Sequence, residues 1–162
     1  SRLTMSKAYQ GHDFPNILPL PTPTFEQTFP VIAEETVHYA LHGNGSDDEW
    51  SSLTPDGHNF VRLGEDQRLF VLTMFHEMHC LDVLHKAFRK DPLASPGHIH
   101  HCLNYLRQGA LCSPDLSLEP GNFEEKDFNV ERVGATHMCR DWEIVYEAMS
   151  KSMSRWMTKN SR

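Results

Sequence analysis

Two short segments of this chain repeat one polar pattern inside otherwise apolar runs. HEMHCLDVLH covers residues 76–85 and HIHHCLNYLR covers residues 98–107, and each begins His-x-x-His-Cys-Leu. In an α-helix, residues three and four positions apart lie on one face, so the histidines and the cysteine of each segment point the same way. This repeat constrains the fold strongly, because polar groups placed on a packed face must find partners there.

Apolar residues recur at helical spacing through the first segment, which predicts a helix from Asp66 to about Lys90. The apolar stretch 69–75 is also compatible with a strand, so the start of this helix stays open.

A second helix is predicted from Pro96 to about Cys112. Ser95 followed by a proline is typical of a helix N-terminus, and Ser113-Pro114 ends the periodic segment. Because only a few residues separate the two helices, we expect them to be antiparallel neighbours with their polar faces in contact.

The remaining segments predict a mainly α fold in one domain. Five of the ten prolines lie within residues 1–30, which indicates an extended arm over residues 1–27 in front of a single domain at 28–162. We expect a short helix at 28–41, a loop at 43–50, a short strand at 58–63, a loop at 113–134 and a packing helix at 137–157. The arm has four candidate anchors: Phe14, Ile17, Leu18 and Phe25.

Composition excludes some classes of function. The chain has 162 residues and a net charge of −7, and no basic stripe or stacking motif is present, so a nucleic-acid partner is not expected. No sugar, nucleotide or phosphate motif is present either. The Met- and Trp-rich last helix suggests a homo-oligomer as one way to bury its stripe.

The four repeated histidines predict a metal site. His76, His79, His98 and His101 would lie together between the helices, and a metal ion would satisfy all four at once, although a purely structural cluster is the competing interpretation. The histidines are three residues apart, whereas the zinc-protease motif needs a spacing of four. A di-iron bundle needs two Glu-x-x-His motifs and two further glutamates, which the two histidine helices do not carry. We therefore expect one or two copper ions, with zinc or iron less favoured.

The four cysteines have two alternative roles. Cys80 and Cys102 occupy equivalent positions in the repeat, so a local two-fold axis would allow a disulfide between them and leave Cys112 to pair with Cys139. Thiolate ligation of the metal is the alternative.

Several other polar residues are weaker candidates. His137 is a further candidate ligand or an orienting partner for one, whereas His85 and His100 fall off the shared faces and are expected to face solvent or support the ligands. Four more residues are candidate structural ties or substrate contacts: Arg107, Asp115, Arg140 and Asp141.

The motifs resemble those of the fungal UstYa-like family, the oxidases of ustiloxin-type mycotoxin biosynthesis. The resemblance rests on HEMHC, HIHHC, the downstream LRQ and Cys112, and the terminal THMCRDWE. Glu77 departs from the glutamine that many members carry after the first histidine.

This resemblance implies a biosynthetic oxidase that acts on a small-molecule or peptide natural product. Oxidative cyclisation, desaturation, hydroxylation and halogenation are reactions associated with the family, and some members are copper-dependent. The family also implies an N-terminal membrane anchor facing the secretory lumen, which we expect to precede the segment SRLTMSK at residues 1–7. The sequon at Asn44 would then be open to glycosylation.

Two other classes of function remain alternatives. One is a redox-neutral cyclase or isomerase that uses the histidines as acid and base groups. The other is a non-enzymatic accessory module stabilised by zinc or by disulfides.

Overall fold

A computed structural model describes residues 9–20, 24–55, 59–127 and 130–160 of the chain. The described elements comprise four helices and four strands. They follow in the order β1 (Thr28–Glu34), α1 (Ser46–Ser51), β2 (Phe60–Leu63), β3 (Arg68–Val71), α2 (Thr73–Phe88), α3 (Pro96–Cys112), β4 (Val133–Arg140) and α4 (Glu143–Asn160). A single 3-10 turn, Thr24–Glu26, precedes β1.

The fold is mixed α/β, so the prediction of a mainly α domain is wrong. Strands β1 and β4 form one antiparallel ribbon, and β2 and β3 form another. The two histidine helices can be predicted from the sequence because each depends on the pattern of neighbouring residues. The ribbon of β1 and β4 depends instead on pairing between distant segments, which local periodicity does not reveal.

The ribbon of β1 and β4 replaces two expected helix segments. Val31 lies opposite His137 and Phe29 lies opposite Cys139, so residues about a hundred positions apart are paired. Pro30 is tolerated because both strands of a two-stranded ribbon are edges, where a missing amide hydrogen costs little. In β4, Ala135, His137 and Cys139 are the more buried positions in an alternating pattern, which is the strand period of two rather than the helical period.

A β-hairpin occupies the expected start of the first long helix. Strands β2 and β3 pair from Phe60 opposite Val71 to Leu63 opposite Arg68. Gly64 and Gln67 both adopt positive φ in the turn that joins them. Helix α2 therefore begins at Thr73 rather than Asp66, and the alternative interpretation of residues 69–75 as a strand was correct as far as Val71.

The main apolar core lies between the β2–β3 hairpin, α2 and α4. Its buried side chains are Val61, Phe75, Val145 and Met149. Tyr146 adds an edge-on contact to the Phe75 ring, with centroids 4.9 Å apart. The apolar face of α4 is thus partly buried against the rest of the chain, although Met157 is exposed. The helix begins at Glu143, so the predicted start at His137 is wrong. At this end of the helix the Asp141 carboxylate accepts a hydrogen bond from the Glu143 amide.

Helices α2 and α3 are antiparallel neighbours with a second, smaller core in their seam, as predicted. Ser95 is the N-cap of α3, and its hydroxyl accepts a hydrogen bond from the His98 amide at 3.3 Å. Cys80, Val83 and Cys102 are buried in the seam. This seam places the repeated histidines opposite one another.

The described part of the N-terminal segment contacts the β2–β3 hairpin and the core. Phe14 packs on Phe70 with ring centroids 5.2 Å apart, and Leu18 and Phe25 pack against the main core. Ile17 is exposed, so its prediction as an anchor is wrong. Residues 1–8 and 21–23 of the predicted arm lie outside the described residues.

Candidate functional site

The four histidines of the repeat meet as two facing pairs between α2 and α3. The Nε2 atoms of His76 and His101 are 3.3 Å apart, and those of His79 and His98 are 3.4 Å apart. The ring centroids are 5.3 Å apart within each pair. The geometry therefore brings together all four residues that the sequence selected.

A local two-fold axis relates the two pairs. Along α2, the rings of His76 and His79 are separated by 6.4 Å, and along α3 the rings of His98 and His101 are separated by the same 6.4 Å. Each His-x-x-His segment thus supplies one member to each pair. This arrangement follows from identical spacing on two antiparallel helices.

Burial and neighbouring imidazoles lower the pKa of the two histidines on α2. Burial lowers the pKa of His76, and the neighbouring His101 and His98 lower it further. Burial, followed by His98, lowers the pKa of His79 in the same way. Neutral imidazoles present a lone pair on one nitrogen, which is the form that binds a metal ion.

The spacing within each pair fits a shared metal ion. Two imidazole nitrogens bound to one ion at about 2.0–2.1 Å in tetrahedral geometry lie about 3.3–3.4 Å apart. Both observed separations fall in this range. Over the described ranges, no group of three or more His, Cys, Asp or Glu side chains is arranged to hold a metal ion. The four nitrogens therefore meet as two facing pairs rather than as one cluster of four.

Two thiols lie beneath the histidines in the seam. Cys80 and Cys102 are fully buried and free, and burial together with a hydrogen bond to Cys102 raises the pKa of the Cys80 thiol to about 12. A thiol with so high a pKa stays protonated at neutral pH, and the thiolate is the form that binds metal. The contact between the Cys80 and Cys102 thiols therefore fits a role in joining α2 to α3 better than a role in binding metal.

Tyr105 belongs to the site, although sequence reasoning did not select it. Its ring lies 4.1 Å from the ring of His76 and 6.0 Å from that of His101, measured between centroids. Tyr105 follows His101 by four residues and so lies on the same face of α3. This spacing of four residues could have indicated from the sequence that Tyr105 lies beside the histidines.

Glu77 was also overlooked as a neighbour of the site. Its carboxylate lies in the space above Gly109 of α3, where an added Cβ would be 2.3 Å from Oε1. The carboxylate is close enough to raise the pKa of His76, against the larger effect of burial.

His85 is buried, so the expectation that it faces solvent is wrong. Its side chain is 2% exposed and its ring stacks on Trp50 with centroids 5.1 Å apart. Nε2 donates to the Leu41 carbonyl oxygen at 3.2 Å and lies 3.2 Å from the Ser46 hydroxyl. The ring therefore fastens the loop before α1, and α1 itself, to α2. His100 is exposed, as expected.

His137 lies on β4, paired with a carboxylate. Its Nδ1 donates to Asp115 Oδ2 at 2.6 Å. Hydrogen bonds from the Ser117 amide and hydroxyl, followed by the bond from His137, hold the pKa of Asp115 well below its usual range. Glu119 accepts from the Ala135 amide at 3.0 Å, so the segment after α3 is fastened along β4 at two points.

The other candidate polar residues make local contacts. Arg107 donates to the Asn104 side chain, and the Arg140 guanidinium lies 5.5 Å from the Phe25 ring centre. Asp141 caps α4. Cys112 is exposed at the end of α3 and Cys139 is half-buried on β4, and both thiols are free.

The fold and the site define a class of mixed α/β proteins in which two antiparallel helices present paired histidines. A comparison with protein-family models matches residues 31–160 to the family described as mycotoxin biosynthesis protein UstYa. This match covers most of the chain, including both histidine helices. The chain belongs to the UstYa family, as its motifs indicated.

Curated relatives of this chain are named as oxidases. The UstYa family oxidase phomYd of Diaporthe leptostromiformis is 40% identical over 83 residues, covering 47% of this chain and 28% of its own length. The oxidase phomYb of the same fungus is 28% identical over 123 residues, covering 64% of this chain and 49% of its own length. The oxidase ustYb of Aspergillus flavus is 23% identical over 143 residues, covering 62% and 54% respectively. The chain thus spans about half or less of the length of these relatives.

No solved structure matches this chain. None of the helices within the described ranges has the length and apolar character needed to cross a bilayer.

Proposed function

We propose that this protein is a copper-dependent oxidase of fungal secondary-metabolite or ribosomal-peptide biosynthesis. It would catalyse oxidative cyclisation, desaturation or a related C–H functionalisation of a small-molecule or peptide substrate. Membership of the UstYa family and the oxidase names of the relatives support the reaction class. The observation that carries the proposal is the pair of Nε2 separations, 3.3 and 3.4 Å, each suited to one bound ion.

The donor set favours copper over zinc. Imidazole binds both ions well. A structural zinc site, however, closes four ligands around one ion, whereas these histidines are arranged as two pairs. Two ligands per position leave open coordination positions, which an oxidase needs for its oxidant and substrate. When bound, copper would supply one-electron redox chemistry with dioxygen as the terminal acceptor.

The protein's own groups would orient the site and prepare it for metal. His76 and His79 remain neutral at neutral pH because burial lowers their pKa, so metal need not compete with a proton on either ring. Cys80 and Cys102 hold the two helices together directly beneath the rings. Tyr105 packs against His76 and limits rotation of that ring.

The test of the proposal is oxygen consumption by copper-loaded protein with a candidate peptide or metabolite substrate. We expect turnover to need both copper and dioxygen, and to fall at least about 10- to 100-fold in His79→Ala, because losing a ligand should cost no less than losing a residue that orients one. The exposed His100→Ala is the matched control and should retain full activity. Anaerobic turnover by metal-free protein would instead favour a redox-neutral cyclase or isomerase.

We also propose that the full-length protein is anchored in the membrane and faces the lumen of the secretory pathway. An oxidising lumen would convert the contacting Cys80 and Cys102 thiols into a disulfide, with two protons and two electrons passing to the compartment's oxidant. The Asp115–His137 bond, which links the segments next to Cys112 and Cys139, supports a second disulfide there.

Mass spectrometry after alkylation tests these disulfides. Protein from a secretory host should show four cysteines protected from alkylation after denaturation, and four modified after reduction. Four alkylated cysteines without reduction would contradict the lumenal assignment.

Glycosylation at Asn44 is part of the same assignment. Asn44 is exposed, but the Ser46 hydroxyl is buried and donates to the Ala40 carbonyl at 2.5 Å. A glycan would therefore be added before this loop folds. A glycosidase-sensitive mass increase that is lost in Asn44→Gln is the expected result.

A further inference from the structure

The local two-fold axis makes each residue of α2 equivalent to one of α3. The same offset of 22 residues separates His76 from His98 and Cys80 from Cys102. Wherever equivalent positions differ chemically, the two histidine pairs have different surroundings.

The clearest difference is a phenol at one pair and an aliphatic side chain at the other. Tyr105, whose ring is 4.1 Å from His76, is equivalent to Val83 on α2. Val83 is 4% exposed and belongs to the buried seam, whereas Tyr105 is only half-buried. The Tyr105 hydroxyl makes no hydrogen bond to any residue in the described ranges, so it is available to a bound molecule.

The carboxylate of Glu77 adds to the same asymmetry. Its equivalent on α3 is Ile99, and the small Gly109 that makes room for it is equivalent to Ala87. The end with His76 therefore has a phenol and a carboxylate nearby, where the equivalent positions hold apolar side chains.

Exposure differs in the same direction. His101 is exposed, whereas His79 and His98 are both half-buried. A substrate would reach the His76–His101 pair more directly than the pair on the other side of the axis.

We propose that the site is used asymmetrically: the substrate approaches the His76–His101 pair, and the Tyr105 hydroxyl contacts it there as a hydrogen-bond donor. This inference rests on the proposed copper site. Tyr105 is then a substrate-contacting residue, and the His79–His98 pair occupies a more protected position. A substrate with an oxygen or nitrogen atom next to the reacting bond fits such a donor.

Azide is a suitable probe, because it binds open positions on Cu(II) and produces a charge-transfer absorption that can be titrated. Tyr105→Phe keeps the ring against His76 and removes only the hydroxyl. We expect it to bind as much copper as the wild type but to weaken azide binding about 2- to 12-fold, the range for one lost hydrogen bond. Tyr39→Phe makes the same chemical change at an exposed tyrosine that packs on Trp50, and should leave azide affinity unchanged.

The outcomes separate the two proposals. Unchanged azide affinity in Tyr105→Phe, or an equal loss in Tyr39→Phe, would overturn the role of Tyr105 and leave the copper site intact. A wild-type protein that binds no copper would overturn the proposed function and this inference together.

Discussion

At the scale of single residues, the site brings four imidazoles together and disfavours protonation of the two on α2. His76 and His79 have lowered pKa values because both are partly buried and both face other histidines. A single buried histidine could satisfy its nitrogens within the protein. Two pairs of Nε2 atoms that face each other, at 3.3 and 3.4 Å, have at best one long hydrogen bond each without a metal.

These lowered pKa values predict how the stability of metal-free protein changes with pH. In the unfolded chain the histidines take up protons near pH 6.5, the ordinary value, but in the folded state they do so only at lower pH. The unfolded state therefore binds more protons just below that pH, so the free energy of unfolding should decrease as pH falls from 7.5 to 5.

Urea unfolding across that pH range measures the effect. The decrease should be smaller in His79→Gln, which cannot be protonated. An equal pH dependence in wild type and variant would show that His79 does not titrate differently in the two states.

His85 gives a second prediction at this scale, for stability rather than for metal binding. His85→Ala would lose the stacking on Trp50 and leave the Leu41 carbonyl without its donor. We expect the free energy of unfolding to fall by about 2–4 kcal/mol. In His100→Ala, at an exposed position, the change should stay within about 0.5 kcal/mol. Denaturant unfolding compares the two, and similar losses would contradict the structural role of His85.

At the scale of secondary-structure elements, local patterns predicted the helices that build the site and indicated parts of the β2–β3 hairpin, but they missed the ribbon of β1 and β4. The N-cap Ser95, Pro96 and the helical spacing of the motifs are all local, and they were sufficient to predict α3 and the facing of the histidines. Strand β1 pairs with β4 across about a hundred residues, which no local pattern reveals. The predicted helix at 28–41 and the start at His137 failed for this reason.

The position of Tyr105 was predictable and that of Glu77 was not. Tyr105 is four residues after His101, so its place on the shared face follows from helical geometry. Glu77 lies about 100° around α2 from His76, and only the three-dimensional packing places it over Gly109.

The contact of Glu77 on α2 with Gly109 on α3 can be tested by mutation. Replacing a mid-helix glycine with alanine normally stabilises a helix by about 0.5–1 kcal/mol. An alanine Cβ at 109 would displace the Glu77 carboxylate, so the gain should be smaller in the wild type than in Glu77→Ala. A double-mutant cycle by urea unfolding measures the difference, and equal gains in both backgrounds would contradict the contact.

At the scale of the whole molecule, four sets of contacts hold the site in place. The main core packs α4 and the β2–β3 hairpin against one side of α2, while the seam with α3 occupies another. The His85 cluster adds α1 and the loop before it. The ribbon of β1 and β4 is joined to the start of α4 through Phe29 and Trp142, whose ring centroids are 5.3 Å apart. Helix α2, which carries His76 and His79, is thus packed on several sides.

Copper content tests most directly whether the two histidine pairs bind metal. Elemental analysis of wild-type protein loaded with copper and then desalted should give one or two ions per chain, with a Cu(II) signal from nitrogen ligands in EPR. His76→Ala and His101→Ala should each lose at least about half of that copper, whereas His100→Ala should lose none. Absence of copper from the wild type, or full retention in both His76→Ala and His101→Ala, would contradict the account.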